Sequence, residues 1–292
     1  MRTPLILHDL APDPRDEWVR LLGFVGWGER DRQAAARSVE ALFQRGHELI
    51  VATYDHLASR PETAAILGGH DGPDPEHLEE RRRFLTIWLA RTLGLDTSGE
   101  LALYLFRAGL MHHGLGPRAA HVPQAYVIGS MGLIQAGFAR ILGEAGLPAD
   151  VLAGALGAWS RYLSVHLDLL LMGYRAAVDL ADGRQAVRCS AYGRLRPLLR
   201  GREVAVAVEP GGSLADVLRK LFNAYPDVRA EVLDRRWDER DPGQHDWPIV
   251  TPAYLPRPGW RLLVNGRDVG YEGGLGQPVA GGDEVALFPP GR

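Results

Sequence analysis

Apolar positions recur at three- and four-residue intervals through the first ~184 residues, and at alternate positions in short runs after that. The first pattern predicts helices. Arg32 to Ser59 carries a stripe of Val39, Phe43, Ile50, Tyr54 and Leu57, closed by Pro61. A helix from Pro75 to Leu93 packs through Leu78, Leu85, Trp88 and Leu89 and stops at Gly94. Leu101 to His113 follows, ended by Gly114-Leu115-Gly116-Pro117, then Pro123 to Leu142. A long last helix begins after Pro148 with Leu156, Trp159, Leu163, Leu167, Leu170 and Tyr174 on one stripe. No strand is expected in this half.

The change of period falls at Asp182-Gly183-Arg184. Strands are predicted at Val187–Tyr192, Glu203–Glu209, Arg261–Val264, Arg267–Gly270 and Glu284–Phe288, with Asn265-Gly266 as a hairpin turn. Ser213 caps the one amphipathic helix, through Leu214, Val217, Leu218, Leu221 and Phe222. The Pro- and Trp-rich stretch Asp234 to Pro258 reads as a connection. Two domains are therefore expected: an all-α domain over 1–184 and an α+β roll over 185–292.

Composition narrows the classes. The 292 residues are 46% hydrophobic and 24% charged, with a formal charge of −3. No block of Lys and Arg is long enough to track a phosphate backbone, so nucleic acid is not an expected partner. Arg81-Arg82-Arg83 reads as the solvated face of a helix. The single cysteine, Cys189, excludes internal disulfides and reads as a small buried hydrophobe on a strand. No secretory signal opens the chain, and the apolar run Leu163 to Met172 is broken by His166 and Asp168 and too short for a bilayer. The expected setting is cytoplasmic, without membrane attachment.

The candidate chemistry lies at His112. The stripe Leu101, Leu105, Ala108 runs directly onto it, so this imidazole must meet a polar partner inside the protein. A backbone carbonyl, a trapped water or a metal would each serve. His113 points roughly 100° away around the helix. His166, on the apolar stripe of the last helix, reads as a core histidine with a partner rather than a metal ligand.

Gly109-Leu110-Met111-His112, Gly114-Leu115-Gly116 and the pair Ala125-Tyr126 resemble the sensor globins, the group of globin-coupled sensors and protoglobins. Tyr54, within Ala52-Thr53-Tyr54-Asp55-His56-Leu57 and 58 residues before His112, is similar to the family's distal tyrosine, and Trp88 and Tyr174 fall where aromatic residues are usual. Gly114 replaces the basic residue often found two after the histidine, and Pro117 comes one position early. The resemblance covers roughly 15–180. It implies a globin fold, haem b with its iron on His112, and a diatomic gas ligand (O2, NO or CO) near Tyr54. It also implies Phe43, Trp88 and Met111 as contact or packing residues, and a homodimer pairing through 167–174. Gas binding rather than catalysis is the expected role, with haem-based NO or peroxide chemistry as the enzymatic alternative.

Leu263-Val264-Asn265-Gly266-Arg267-Asp268-Val269, Gly282-Asp283-Glu284-Val285 and Leu287-Phe288-Pro289-Pro290 resemble the ubiquitin-like sulfur carriers of molybdopterin and thiamin biosynthesis. That resemblance implies a β-grasp fold. The carriers end in Gly-Gly, whereas this chain ends Pro290-Gly291-Arg292, so an interaction or output module with a protein partner is expected in place of sulfur transfer. A sulfur-carrier role and a haem-free globin-fold interaction protein are the alternatives.

Overall fold

The computed structural model describes residues 5–68, 74–240 and 249–290. They form two compact units, one of Pro14–Arg175 and one joining the described residues before Pro14 to those from Ala176 onward. The expected classes are both present: an all-α unit followed by an α+β unit built on a mixed sheet.

The helical unit contains α1 (Pro14–Phe24), α2 (Glu29–Ala36), α3 (Val39–Gln44), α4 (Gly46–Ala58), α5 (Pro61–Gly68), α6 (Pro75–Leu93), α7 (Gly99–His112), α8 (Gln124–Glu144) and most of α9 (Ala149–Ala181). Asp74 caps α6 by accepting from the Glu76 amide at 3.0 Å, with Pro75 in the first turn, where its missing N–H costs nothing. Ser98 caps α7 through the Leu101 amide. The core gathers Trp18, Leu42, Leu105, Phe138, Trp159 and Leu163 from five helices. α8 alone among the described helices is long and apolar enough to cross a membrane by length and composition, and its Met131, Ile134, Phe138 and Ile141 belong to this core.

The single helix expected over Arg32–Ser59 is three. Ser38 donates its hydroxyl to the Ala35 carbonyl at 2.7 Å and accepts the Trp159 indole N–H at 2.8 Å, a side-chain alternative to helical backbone pairing that breaks the run. The break changes the phase of the stripe. Leu42 is buried and Phe43, expected on the core side, is 69% exposed. Pro61 both ends α4's neighbourhood and opens α5.

α7 and α9 meet backbone to backbone. A Cβ on Gly109 would fall inside the Leu170 carbonyl oxygen, and one on Gly173 inside the Phe106 carbonyl oxygen. This reciprocal pair of glycines fixes where the last turn of α7 stands.

In the second unit, β1 (Gln185–Ala191), β2 (Glu203–Val208), β5 (Arg261–Val264), β6 (Arg267–Asp268) and β7 (Glu284–Phe288) form one sheet in the order β2-β1-β7-β5-β6. The central pair β1/β7 is parallel, with Cys189 opposite Val285, and the other pairs are antiparallel. α10 (Leu214–Ala224) covers the sheet with Val217, Leu218, Leu221 and Phe222 fully buried, and Ser213 caps it in a capping box with Asp216. This is the β-grasp arrangement. Asn265 and Gly266 both take positive φ, as a two-residue hairpin turn requires.

The stretch expected to be a connection is a hairpin. α11 (Pro226–Val232) leads into β3 (Leu233–Arg240), which pairs with β4 (Ile249–Pro256) as a separate two-stranded sheet. Its prolines masked the strand in sequence. They are tolerated because Pro252 and Pro256 stand two places either side of Tyr254, whose N–H turns away from β3 toward Leu7, so their missing N–H groups fall on the outer edge rather than in the β3 ladder. The N-terminal strap joins this unit too. Leu7 and Tyr254 exchange both backbone bonds at 2.9 Å, Asn223 accepts from the Ala11 amide at 2.9 Å, and buried Arg229 donates to the Ala11 carbonyl at 2.6 Å. The chain end Gly291-Arg292, on which the sulfur-carrier question was posed, lies outside the described residues.

Candidate functional site

His112 closes α7, half-buried, at the end of the stripe that predicted it. Its Nδ1 lies 2.6 Å from the Ala108 carbonyl oxygen, one turn back. A carbonyl only accepts, so Nδ1 carries the proton and donates it. Burial pushes the imidazole below its ordinary titration range, opposed by the Ala108 bond and assisted by the Arg81 charge, so the ring is neutral near pH 7. Nε2 then holds a lone pair, and it makes no hydrogen bond among the described residues. A neutral histidine with its Nδ1–H anchored on backbone is oriented as a metal ligand is.

His113 is committed elsewhere. Its ring stands edge-on to His121 at 4.9 Å and to Tyr174 at 5.0 Å, and the backbone bridges His113 to His121. Met111 is half-buried against the turn at Gly116.

Tyr54, on α4, packs against the core cluster. Burial raises its phenol to about 12, with Arg81 and Arg82 pulling it back and Tyr104 adding to the rise. The phenol stays protonated, and its hydroxyl makes no hydrogen bond among the described residues. Beside it, Asp55 pairs with Arg82 at 3.0 Å and so ties α4 to α6. Tyr104 donates to the Phe84 carbonyl at 3.2 Å. Phe84 and Ile87 of α6 are 39% and 41% exposed, large apolar side chains left open on a helix whose Trp88 and Leu89 are buried.

The Arg81 charge thus favours the neutral imidazole of His112 and opposes the rise at Tyr54. Trp88 is drawn into the core, where its indole donates to His166 Nδ1 at 3.2 Å. His166 is fully buried between Trp18 and Tyr162, its Nε2 without a hydrogen-bond partner. It has the partner expected on one side only. Phe43 stays exposed on α3. Arg81 and Tyr104 were not singled out from sequence. An arginine in a run of three reads as solvent-facing, yet Arg81 Nε and Arg82 Nε are both buried without a partner.

Among the described residues no group of three or more His, Cys, Asp or Glu converges. A metal at His112 would therefore take its remaining donors from outside the chain, as an iron in a macrocycle does. A lone oriented imidazole and open apolar side chains suit such a group.

A model of the protoglobin family matches residues 15–179, more than half of the chain. Among solved structures, the globin domain of the Geobacter sulfurreducens globin-coupled sensor is 16% identical, covering 54% of this chain and 97% of its own, with a TM-score of 0.46. The ferric globin domain of E. coli DosC is 11% identical over 55% of this chain and 99% of its own, at 0.43. The small archaeal modifier protein 1 of H. volcanii is 25% identical over 37% of this chain and 100% of its own, at 0.27. No curated protein matches the chain.

Proposed function

The chain belongs to the protoglobin family, and from that premise we propose that its helical unit holds haem b through His112 and binds a diatomic gas, O2, NO or CO, beside Tyr54. The observation that carries this is the Nδ1–H of His112 anchored on the Ala108 carbonyl, which leaves Nε2 as a free donor. When bound, haem would supply an iron centre, held by His112, that takes a small gas ligand.

Each residue's part follows from its state. His112 keeps its Nδ1 proton on backbone and so offers one nitrogen in one orientation. Tyr54, held protonated by burial, offers an O–H to a gas ligand that carries partial negative charge. Gly109, by admitting α9, sets the height of α7 and with it the position of the imidazole. Phe84 and Ile87 supply apolar surface that excludes water.

For the sheet unit we assign the role of interaction or output module. The support is hairpin β3–β4, which presents Trp237 at 69% and Val250 at 58% exposure on a paired scaffold.

The deciding experiment is the absorption spectrum of the haem-supplemented chain beside His112→Gly. We expect an intense Soret band that shifts with CO, its loss or displacement in the variant, and its recovery when imidazole is added to fill the gap. A wild-type chain that takes up no stoichiometric haem sinks the proposal.

A further inference from the structure

Among the described residues, β3 pairs with β4 alone. Tyr254 of β4 gives its backbone bonds to Leu7, so Arg235, which stands opposite it, turns its backbone groups away from β4 too. Trp237, two places along, faces the same outer side. No proline blunts this edge, unlike that of β4. Arg235, Arg236, Trp237 and Asp238 are all exposed, so neither face of the hairpin is covered here. Trp237 is 69% exposed, with Pro252 opposite it and Val250 two places on along the same face. An open edge eight residues long invites another strand.

The order of charges selects that strand. β3 reads Leu-Asp-Arg-Arg-Trp-Asp-Glu-Arg from Leu233 to Arg240. Laid antiparallel on a second copy of itself with Trp237 on the two-fold axis, Arg236 falls opposite Asp238, Arg235 opposite Glu239 and Asp234 opposite Arg240. Every charged pair then joins unlike signs. A slip of two residues, which keeps the outward backbone groups facing, destroys this match. In one direction it sets Arg236 on Arg236 and Asp234 on Asp238; in the other, Asp238 on Asp238 and Arg236 on Arg240. Asp234 is already held by Arg257 at 3.0 Å. The selective pair is therefore Arg236 with Asp238, which face Ala253 and Thr251 on β4 and no charge.

We propose that β3 is a self-association edge, through which two copies of this chain join antiparallel about Trp237 into one continuous sheet. The axis brings two exposed tryptophans together and covers apolar surface that a single copy leaves open. This rests on the reading of the sheet unit as an interaction module and names its partner as a second copy. It is independent of haem, and its surface is distinct from residues 167–174.

The test is sedimentation of the full chain as wild type, as Arg236→Glu, as Asp238→Arg, as the two changes in one chain, and as an equal mixture of the two single variants. Wild type should dimerise. Arg236→Glu sets a glutamate against Asp238, and Asp238→Arg sets an arginine against Arg236. Each should weaken the dimer about tenfold, because two symmetry-related pairs turn from attraction to repulsion. The mixture and the doubly changed chain restore unlike charges in every pair and should associate as wild type does. Recovery in the mixture also shows that both single variants are folded. Single variants that associate like wild type would place the contact elsewhere and overturn the inference, and so would a loss that the mixture does not restore. A wild-type chain that stays monomeric through the micromolar range overturns it as well, while leaving the module reading to a partner of different sequence.

Discussion

His166 is a base held where it cannot take a proton. Burial among Trp18, Trp88 and Tyr162 lowers its titration to about 3, only partly opposed by the Asp96 charge, against an ordinary value of 6.5. Because Nδ1 accepts from Trp88, the ring's proton sits on Nε2, which is buried and unpaired. The unfolded chain binds a proton at this residue as pH falls below 6.5, and the folded chain does not until near 3. The stabilisation is therefore present above 6.5 and lost as pH falls from 6.5 toward 3, with a limiting slope of about 1.4 kcal/mol per pH unit from this group. Urea melts of the apo-chain between pH 7 and 4.5 should show that decline, and His166→Phe should flatten it. An unchanged slope in the variant would assign the acid sensitivity to other groups. His112 was legible at this scale, because an apolar stripe that ends on imidazole is a contradiction that needs a partner. Arg81 was not, because three adjacent arginines spread around a helix and sequence does not tell which one turns inward.

Elements were legible where local chemistry and packing agree. The Ser213 cap, the Asn265-Gly266 turn and the long periodic helices all appear where the residues place them. The failures occurred where tertiary contacts override local preference. Ser38 breaks a helix because Trp159, 121 positions away, completes its bonding, and β4 keeps two prolines because their nitrogens face away from β3. The glycine contact between α7 and α9 has the sharpest consequence. Gly109→Ala or Gly173→Ala forces two backbones apart and should destabilise by about 3 kcal/mol, the upper range for overpacking. Because α7 carries His112, a haem-loaded Gly109→Ala should also show a displaced Soret band. Gly129→Ala on α8, where nothing stands within 4 Å of the added carbon, should instead gain up to about 1 kcal/mol by helix propensity. Thermal melts of the three variants separate the cases; equal losses would mean that helix distortion, not contact, decides.

At the scale of the whole molecule, the sheet unit is discontinuous in sequence. Arg229, 5% exposed, has its donors on the Ala11 carbonyl and the Asp13 carboxylate and its face on Tyr254, so the strap is an integral part of that unit. Deleting residues 1–13 should leave a buried guanidinium short of acceptors and weaken the unit by about 3 kcal/mol. Hydrogen exchange should then quicken over 225–256 and stay unchanged over 101–112. Unchanged protection at Tyr254 would mean that the strap is ornamental. The strap was invisible in sequence, since residues 5–13 carry neither period.

That strap also orders events during synthesis. Ala11 and its partners Asn223 and Arg229 are separated by 212 and 218 positions, and the whole helical unit is translated between them. The nascent strap leaves the ribosome with nothing to dock on, while the helical unit has all it needs to collapse behind it. Closing so long a loop costs little more entropy than closing one of half the length, so the delay is kinetic rather than thermodynamic. A chain stalled before Arg229 holds a finished helical unit and a loose N-terminal thread, and only a chain read through to the sheet conceals that thread from proteases.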